Sequence, residues 1–185
     1  MKKILLILLL IIPFIGFGQI NDKWNQKIIS GYNLYVDNIF DFQVKIHNSL
    51  CSESDSSYYT KYLKDEGGNF NFEISVDGVD LYPDKETGDP RLVGGVEIDF
   101  FNKSFEDNLK SKKGVSYKIK KDDFYVISGS YENITFYHKT IYNGWFTVTV
   151  KLKYNEISYW SEEIKTEKLK LFSEMCEQIH NSLTQ

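Results

Sequence analysis

The chain predicts an α+β fold: one domain in which a mainly antiparallel sheet lies between helices. Three observations carry that expectation. Several segments alternate apolar and polar residues with the period of two that a half-buried strand requires. The stretch from Val115 to Lys153 reads as successive strands separated by hairpin turns. The last twenty-odd residues return to helical spacing.

The first eighteen residues, MKKILLILLLIIPFIGFG, are read separately. Lys2 and Lys3 form a basic start, Ile4 to Phe17 an apolar run, and Gly16-Phe17-Gly18 a small-x-small cleavage site. These are the parts of a secretory signal peptide, and cleavage leaves Gln19 first. A membrane anchor is the alternative, but the run is shorter than the ~20 residues a span needs and Pro13 would disturb the helix. No cysteine stands near the cleavage point to carry a lipid.

Without the signal, 167 residues remain, which suits one domain. They hold 20 basic and 26 acidic residues, a net charge of −6. No basic block stands out, so nucleic acid and anionic lipid are poor partners. The 29 aromatic residues point to a packed, sheet-rich protein rather than a disordered one. Three prolines leave no Pro-rich linker, and no internal repeat is seen.

Residues Gln19 to Asn38 are an N-terminal segment in which Trp24, Ile28 and Ile29 suggest the stripe of a short helix. Phe40, Phe42, Val44 and Ile46 alternate with Asp41, Gln43 and Lys45, a strong strand. Asn48 to Ser57 is a polar loop and Tyr58 to Leu63 a short strand. Asp65 to Asn69 is a turn leading into a clear strand on Phe70, Phe72, Ile74 and Val76. Tyr82 to Arg91 holds two of the three prolines with Asp84, Glu86 and Asp89, and reads as an exposed loop. Val93 to Phe101 contains a strand. Ser104, with Asp107 three residues on, reads as the N-cap of a two-turn helix ending near Gly114.

Val115 to Lys120, Phe124 to Ser128, Ile134 to Ile141 and Trp145 to Leu152 are four strands. Asn143-Gly144 is the strongest of their turn signals, because both residues tolerate positive φ. Phe124 to Ile127 is apolar on both faces and so is covered on both. The strand from Trp145 segregates its apolar residues to one face and lies nearer an edge or a solvated face. A helix from Ser161 to Leu183 closes the chain, with Ile164, Leu169, Phe172, Met175, Cys176, Ile179 and Leu183 as its stripe. Ser161 caps it, and Glu162 and Glu163 suit its positive end.

Taken in order, these elements resemble the PsbP-like family, the α/β/α sandwich of the photosystem II extrinsic protein and of a Ran-binding nuclear import factor. Phe40 to Val44 is similar to that family's opening strand, and Ser104 to Lys112 to its crossover helix. Asp123 to Gly129 resembles its F-x-V-x-S-G strand, Phe136 to Lys139 its aromatic-then-basic position. Gly144, Phe146 and Val148 complete the hairpin. The resemblance spans about Ile39 to Leu183 and is closest from Lys103 onward. Ile46-His47 replaces the usual Y-P, and the Tyr82 to Arg91 loop has no counterpart. The fold hosts many roles and transfers no function by itself.

No nucleophile turn, phosphate loop or dinucleotide turn is present. His47, His138 and His180 are dispersed and lack metal-ligand spacing, so they read as ordinary surface or strand histidines. The acids from Asp77 to Asp89 lack the alternating spacing of a calcium loop. Glu97 and Asp99 read as alternating positions on one strand face, and Glu162 and Glu163 as a helix start. Cys51 and Cys176 form no CxxC and read as two mostly buried free thiols, pairing being the alternative. These absences predict no catalytic residues, no cofactor and no metal. Tyr125, Tyr137 and Trp145 lie in neighbouring strands and form a partner-binding patch if an outer face is open; otherwise the helices bury them. The first functional expectation is a periplasmic or secreted, non-enzymatic binding or accessory protein of the bacterial envelope, with a protein or small ligand as partner. An envelope hydrolase or metal-dependent enzyme, and a small-ligand carrier with an aromatic pocket, are the alternatives.

Overall fold

The computed structural model describes residues 24–29, 32–37, 40, 42–52, 59–83, 85–87 and 90–183, with side chains described from residue 40 onward except at 52, 81–83 and 90–92. The signal peptide, its cleavage point and residues 53–57 of the expected Asn48 to Ser57 loop lie outside these residues, while Leu50–Ser52 of that loop is a strand.

Twelve strands and two helices follow one another in the described chain. β1 (Trp24–Ile29), β2 (Tyr32–Asp37) and β3 (Phe42–His47) form an antiparallel three-stranded sheet. The expected N-terminal helix is therefore a strand. Six residues are too few for a helix to hold by itself, and the ladder from Trp24↔Asp37 to Ile29↔Tyr32 supplies cross-strand partners instead.

The main sheet has seven strands, all antiparallel, in the order β4-β5-β6-β12-β11-β10-β9. They are β4 (Leu50–Ser52), β5 (Thr60–Asp65), β6 (Phe70–Asp77), β9 (Val115–Lys120), β10 (Phe124–Tyr131), β11 (Ile134–Tyr142) and β12 (Thr147–Asn155). β12 occupies the centre of the sheet. The expected edge or solvated face is not found, because β12 is central and Thr147 and Thr149 on its polar side are buried; the polar alternation reflects a polar half of one sheet face, described below.

β7 (Val79–Pro83) and β8 (Pro90–Gly94) form a separate hairpin. The expected loop from Tyr82 to Arg91 is thus the hairpin's distal end, with Pro83 opposite Pro90. The prolines are tolerated there because this two-stranded ribbon needs no further partner.

The first helix, α1, spans Ile98–Ser111, starting six residues before the expected N-cap at Ser104. Ile98, Phe101, Phe105 and Leu109 recur at helical spacing, and the expected strand through Phe101 ignored that period. Glu97 is the N-cap, without a side-chain cap bond, and Asp99 lies in the first turn. Neither belongs to a strand. The closing helix, α2 (Glu162–Ser182), starts as expected, with Ser161 accepting a hydrogen bond from the backbone N–H of Ile164. Ile164 and Leu169 leave the apolar stripe and are each 40% exposed. The buried contacts are Phe172, Met175, Ile179 and Leu183.

The two helices cover opposite faces of the main sheet. Val126, Tyr137, Val148, Val150, Leu152 and Phe72 pack with α2 and β3 in the larger core. Tyr125, Ile127 and Phe136 pack with Phe101 and Phe105 of α1 in the smaller one. β10 is buried on both faces, as its apolar run predicts. Lys139, on the α2 face, donates from Nζ to the carbonyls of His180 (2.8 Å) and Leu183 (3.0 Å), satisfying the open end of α2. No helix among the described residues is long and apolar enough to cross a membrane.

Candidate functional site

The register separates the three aromatic residues singled out from the sequence. Tyr125 stands opposite Thr140 on the α1 face. It is fully buried, its ring packs tilted against those of Phe101 and Phe105, and its hydroxyl meets Ser104 Oγ at 3.0 Å and Asn108 Nδ2 at 3.1 Å. Tyr137 stands opposite Ser128 on the α2 face. It too is buried, meeting His180 Nδ1 at 3.3 Å, and burial raises the pKa of its hydroxyl well above the usual phenol range. The helices bury both rings, so the three form no common patch. Trp145 alone is accessible, at 50% exposure.

Trp145 belongs to a different grouping. Its carbonyl accepts from the Val96 N–H at 2.7 Å, and the Val96 carbonyl accepts from the Tyr142 hydroxyl at 2.9 Å. Gly95, at φ +145°, lies against the indole; a Cβ there would stand 3.3 Å from the ring. A glycine is what lets the chain approach so closely. Asn143 Oδ1 accepts from the backbone N–H groups of Trp145 and Phe146, both at 2.9 Å, which fixes the turn. This joins the end of the β7–β8 hairpin, the start of α1 and the β11–β12 turn. Val93, Ile98, Phe100 and Trp145 are exposed there by 44%, 44%, 46% and 50%. Sequence reasoning missed Ile98 and Phe100 because it placed them in a strand. The helical period of Ile98, Phe101 and Phe105 would have set Phe100 off the buried stripe.

A second feature lies on the α1 face of the sheet, where buried polar side chains stand beside the aromatic cluster. Ser75, Thr149, Thr140 and Tyr125 align in one row across β6, β12, β11 and β10. Thr140 Oγ1 meets Thr149 Oγ1 at 3.0 Å and His138 Nε2 at 3.0 Å. The neighbouring row runs Glu73, Lys151, His138, with Lys151 Nζ 2.7 Å from Glu73 Oε1. His138 is 2% exposed, and its Nδ1 has no partner. Burial, then Lys112 and Lys151, push its pKa down to about 3. Lys112, the C-cap of α1, places Nζ 5.4 Å above the Phe136 ring, and Phe136 pairs with Lys153.

Among the described residues, no group of three His, Cys, Asp or Glu side chains stands close enough to hold a metal ion. Both cysteines are free. Cys51 is exposed rather than buried as expected, because short β4 lies at the sheet edge. Cys176 is half-buried, and burial raises the pKa of its thiol well above the usual range, which leaves little thiolate for chemistry.

No family model matches the chain, and no curated protein matches it. Among solved structures, the chain is similar to the solution structure of cyanobacterial PsbP (CyanoP) from Synechocystis sp. PCC 6803, at 12% identity and a TM-score of 0.49, over 93% of this chain and 98% of that one.

Proposed function

We propose that this chain is an exported, non-enzymatic binding protein of the bacterial cell envelope, which engages a partner protein through the apolar end built around Trp145. In this reading residues 1–18 are removed on export, 19–38 open the mature protein and 39–183 form its binding domain. The observation that carries it is the exposure of Val93, Ile98 and Phe100 on the continuous stretch from β8 into α1 and of Trp145 on the β11–β12 turn, which the bond from the Val96 N–H to the Trp145 carbonyl ties together. Large apolar side chains gathered at one end of a protein mark an interaction surface more often than scattered ones do. Tryptophan is also the residue type most enriched among binding hot spots.

The test begins with a photo-crosslinking residue at Ile98, used in cells to trap what lies against this end. The trapped protein is then purified and titrated against wild type, Trp145→Ser and Phe100→Ser. Each substitution should weaken binding at least about tenfold, the loss expected at a hot spot. Both side chains are about half exposed, so thermal stability should hardly move. Should a second copy of the chain be trapped, sedimentation would show a dimer that Trp145→Ser dissociates. Equal affinity of all three proteins for the trapped partner would refute the proposal.

A further inference from the structure

One edge of the main sheet is open. β9 pairs with β10 on one side and with no described strand on the other. Ser116 is skipped where the register shifts, so the regular edge is Tyr117 to Lys120. The Lys121 N–H donates to the Phe124 carbonyl at 2.8 Å. An antiparallel ladder alternates from such a pair. Ile119 and Tyr117 therefore turn their main-chain groups to β10, while Lys118 and Lys120 turn theirs outward. An outward row of N–H and C=O groups is a template for another strand. The opposite edge, β4, offers only three residues.

The open edge is also basic. Lys110 to Lys121 holds six lysines and no acid, in a chain whose net charge is −4. Glu106 and Asp107 precede this stretch and Asp122 and Asp123 follow it; among the described residues none of them forms an ion pair with it. Glu73 partly offsets Lys112. Lys118 and Lys120 stand opposite Ile127 and Tyr125, so β10 gives neither an acid. Both project on the α1 face, Lys120 with its Nζ 5.7 Å from the Phe101 ring centroid. Tyr117, 52% exposed, projects on the other face with Ile119. A groove of about 270 Å³ opens beside the strand, lined by Leu109, Lys112, Val115 and Tyr117 among others.

We propose that β9 takes up an extended acidic segment of a partner protein as an added strand of the sheet. Main-chain bonds to Lys118 and Lys120 hold the segment, and the groove receives one of its side chains. Acidic residues at alternate positions stand beside Lys118 and Lys120, and the residues between them beside Tyr117 and Ile119. Lysines on an edge have a plainer role, which is to keep copies of a protein from pairing. The two roles agree, because two β9 edges set side by side bring their lysines together and an acidic strand does not. Protection alone needs neither the exposed tyrosine nor the groove. The edge belongs to a different element from the Trp145 end and does not depend on it.

The experiment uses the mature protein and short blocked peptides that alternate valine with glutamate, with glutamine or with lysine. Affinity is read by fluorescence anisotropy, and protection of single amides by hydrogen exchange. The glutamate peptide should bind at least about tenfold more tightly than the glutamine peptide, and the lysine peptide least tightly of all. Its binding should protect the Lys118 and Lys120 amides, while those of Tyr117 and Ile119, already turned to β10, change little. Lys118→Glu leaves the contact of Lys120 with Phe101 intact and should weaken the glutamate peptide about threefold or more. Adding Lys120→Glu should reverse the order of the peptides. Trp145→Ser should leave every affinity unchanged, which separates this edge from the apolar end. Equal affinity for the three peptides, or no binding at all, would overturn the proposal. So would glutamate-peptide binding that leaves the Lys118 and Lys120 amides unprotected, or that Trp145→Ser weakens as much as Lys118→Glu does. A dimer of the free protein with those amides already protected would overturn it too, since a second copy would then occupy the edge.

Discussion

The buried imidazole of His138 makes the protein's acid sensitivity calculable. Burial first, and Lys112 and Lys151 after it, lower its pKa from 6.5 to about 3. In the folded protein the ring therefore stays neutral at pH values where the unfolded chain binds a proton. Stability is unaffected by this group above pH 6.5, falls as the pH drops below 6.5, and goes on falling until the folded ring titrates near 3. Each pH unit in that window costs about 1.4 kcal/mol, so the loss at pH 5 is about 2 kcal/mol. That is a large fraction of the roughly 5–15 kcal/mol that holds a domain together. Urea denaturation of wild type and His138→Gln at neutral pH and at pH 5 isolates the effect, since other titrating groups are common to both. Glutamine costs something at both pH values, and only the difference of differences matters. Wild type should lose about 2 kcal/mol more than the variant on acidification. Parallel losses would refute the neutral, buried histidine.

Other outcomes follow from the packing. Phe172 is 7% exposed and meets the Tyr154 ring at 6.3 Å, so Phe172→Ala should cost about 3 kcal/mol, read from the denaturant midpoint. Gly129 faces the Gly114 carbonyl where β9 and β10 shift register, leaving no room for a Cβ. Gly129→Ala should therefore destabilise by about 3 kcal/mol and raise hydrogen exchange first in β9. Intact-mass measurement of the exported protein should give an N-terminus at or near Gln19; a retained Met1 would refute cleavage.

Where burial follows a period of two, the sequence could be read closely. Phe42, Val44 and Ile46 are buried in β3, and Phe70, Phe72 and Ile74 in β6, as their alternation requires. The strands from Val115 to Asn155 were legible from their apolar runs and the turn signals between them, and the closing helix from its helical spacing. Ile98 to Phe101 was not. Its apolar residues are dense enough to satisfy either period, and only the docking of Phe101 against Tyr125 and Tyr142 decides for a helix. The position of β12 was hidden too, because sheet order is set by long-range pairing that leaves no local trace. The candidate sites suffered most. Trp145 could be named, but its neighbours Val93 and Phe100 are brought to it by a hairpin read as a loop and a helix read as a strand. Lys118 and Lys120 look like ordinary surface lysines until the register sets them on an open sheet edge.

The central place of β12 has a consequence for the order in which the protein can be completed. β6 has β5 on one side and β11 has β10, but among the described strands only β12, late in the sequence, joins the two halves. Val148 must meet Val76 and Leu152 must meet Phe72, across more than seventy intervening residues. A chain emerging N-terminus first therefore holds two incomplete sheets, each with an unpaired inner edge, until residues 147–155 arrive. Closing such long loops is slow, and open apolar edges associate readily while they wait. Any truncation ahead of Thr147 should leave two sticky half-sheets rather than a smaller stable domain.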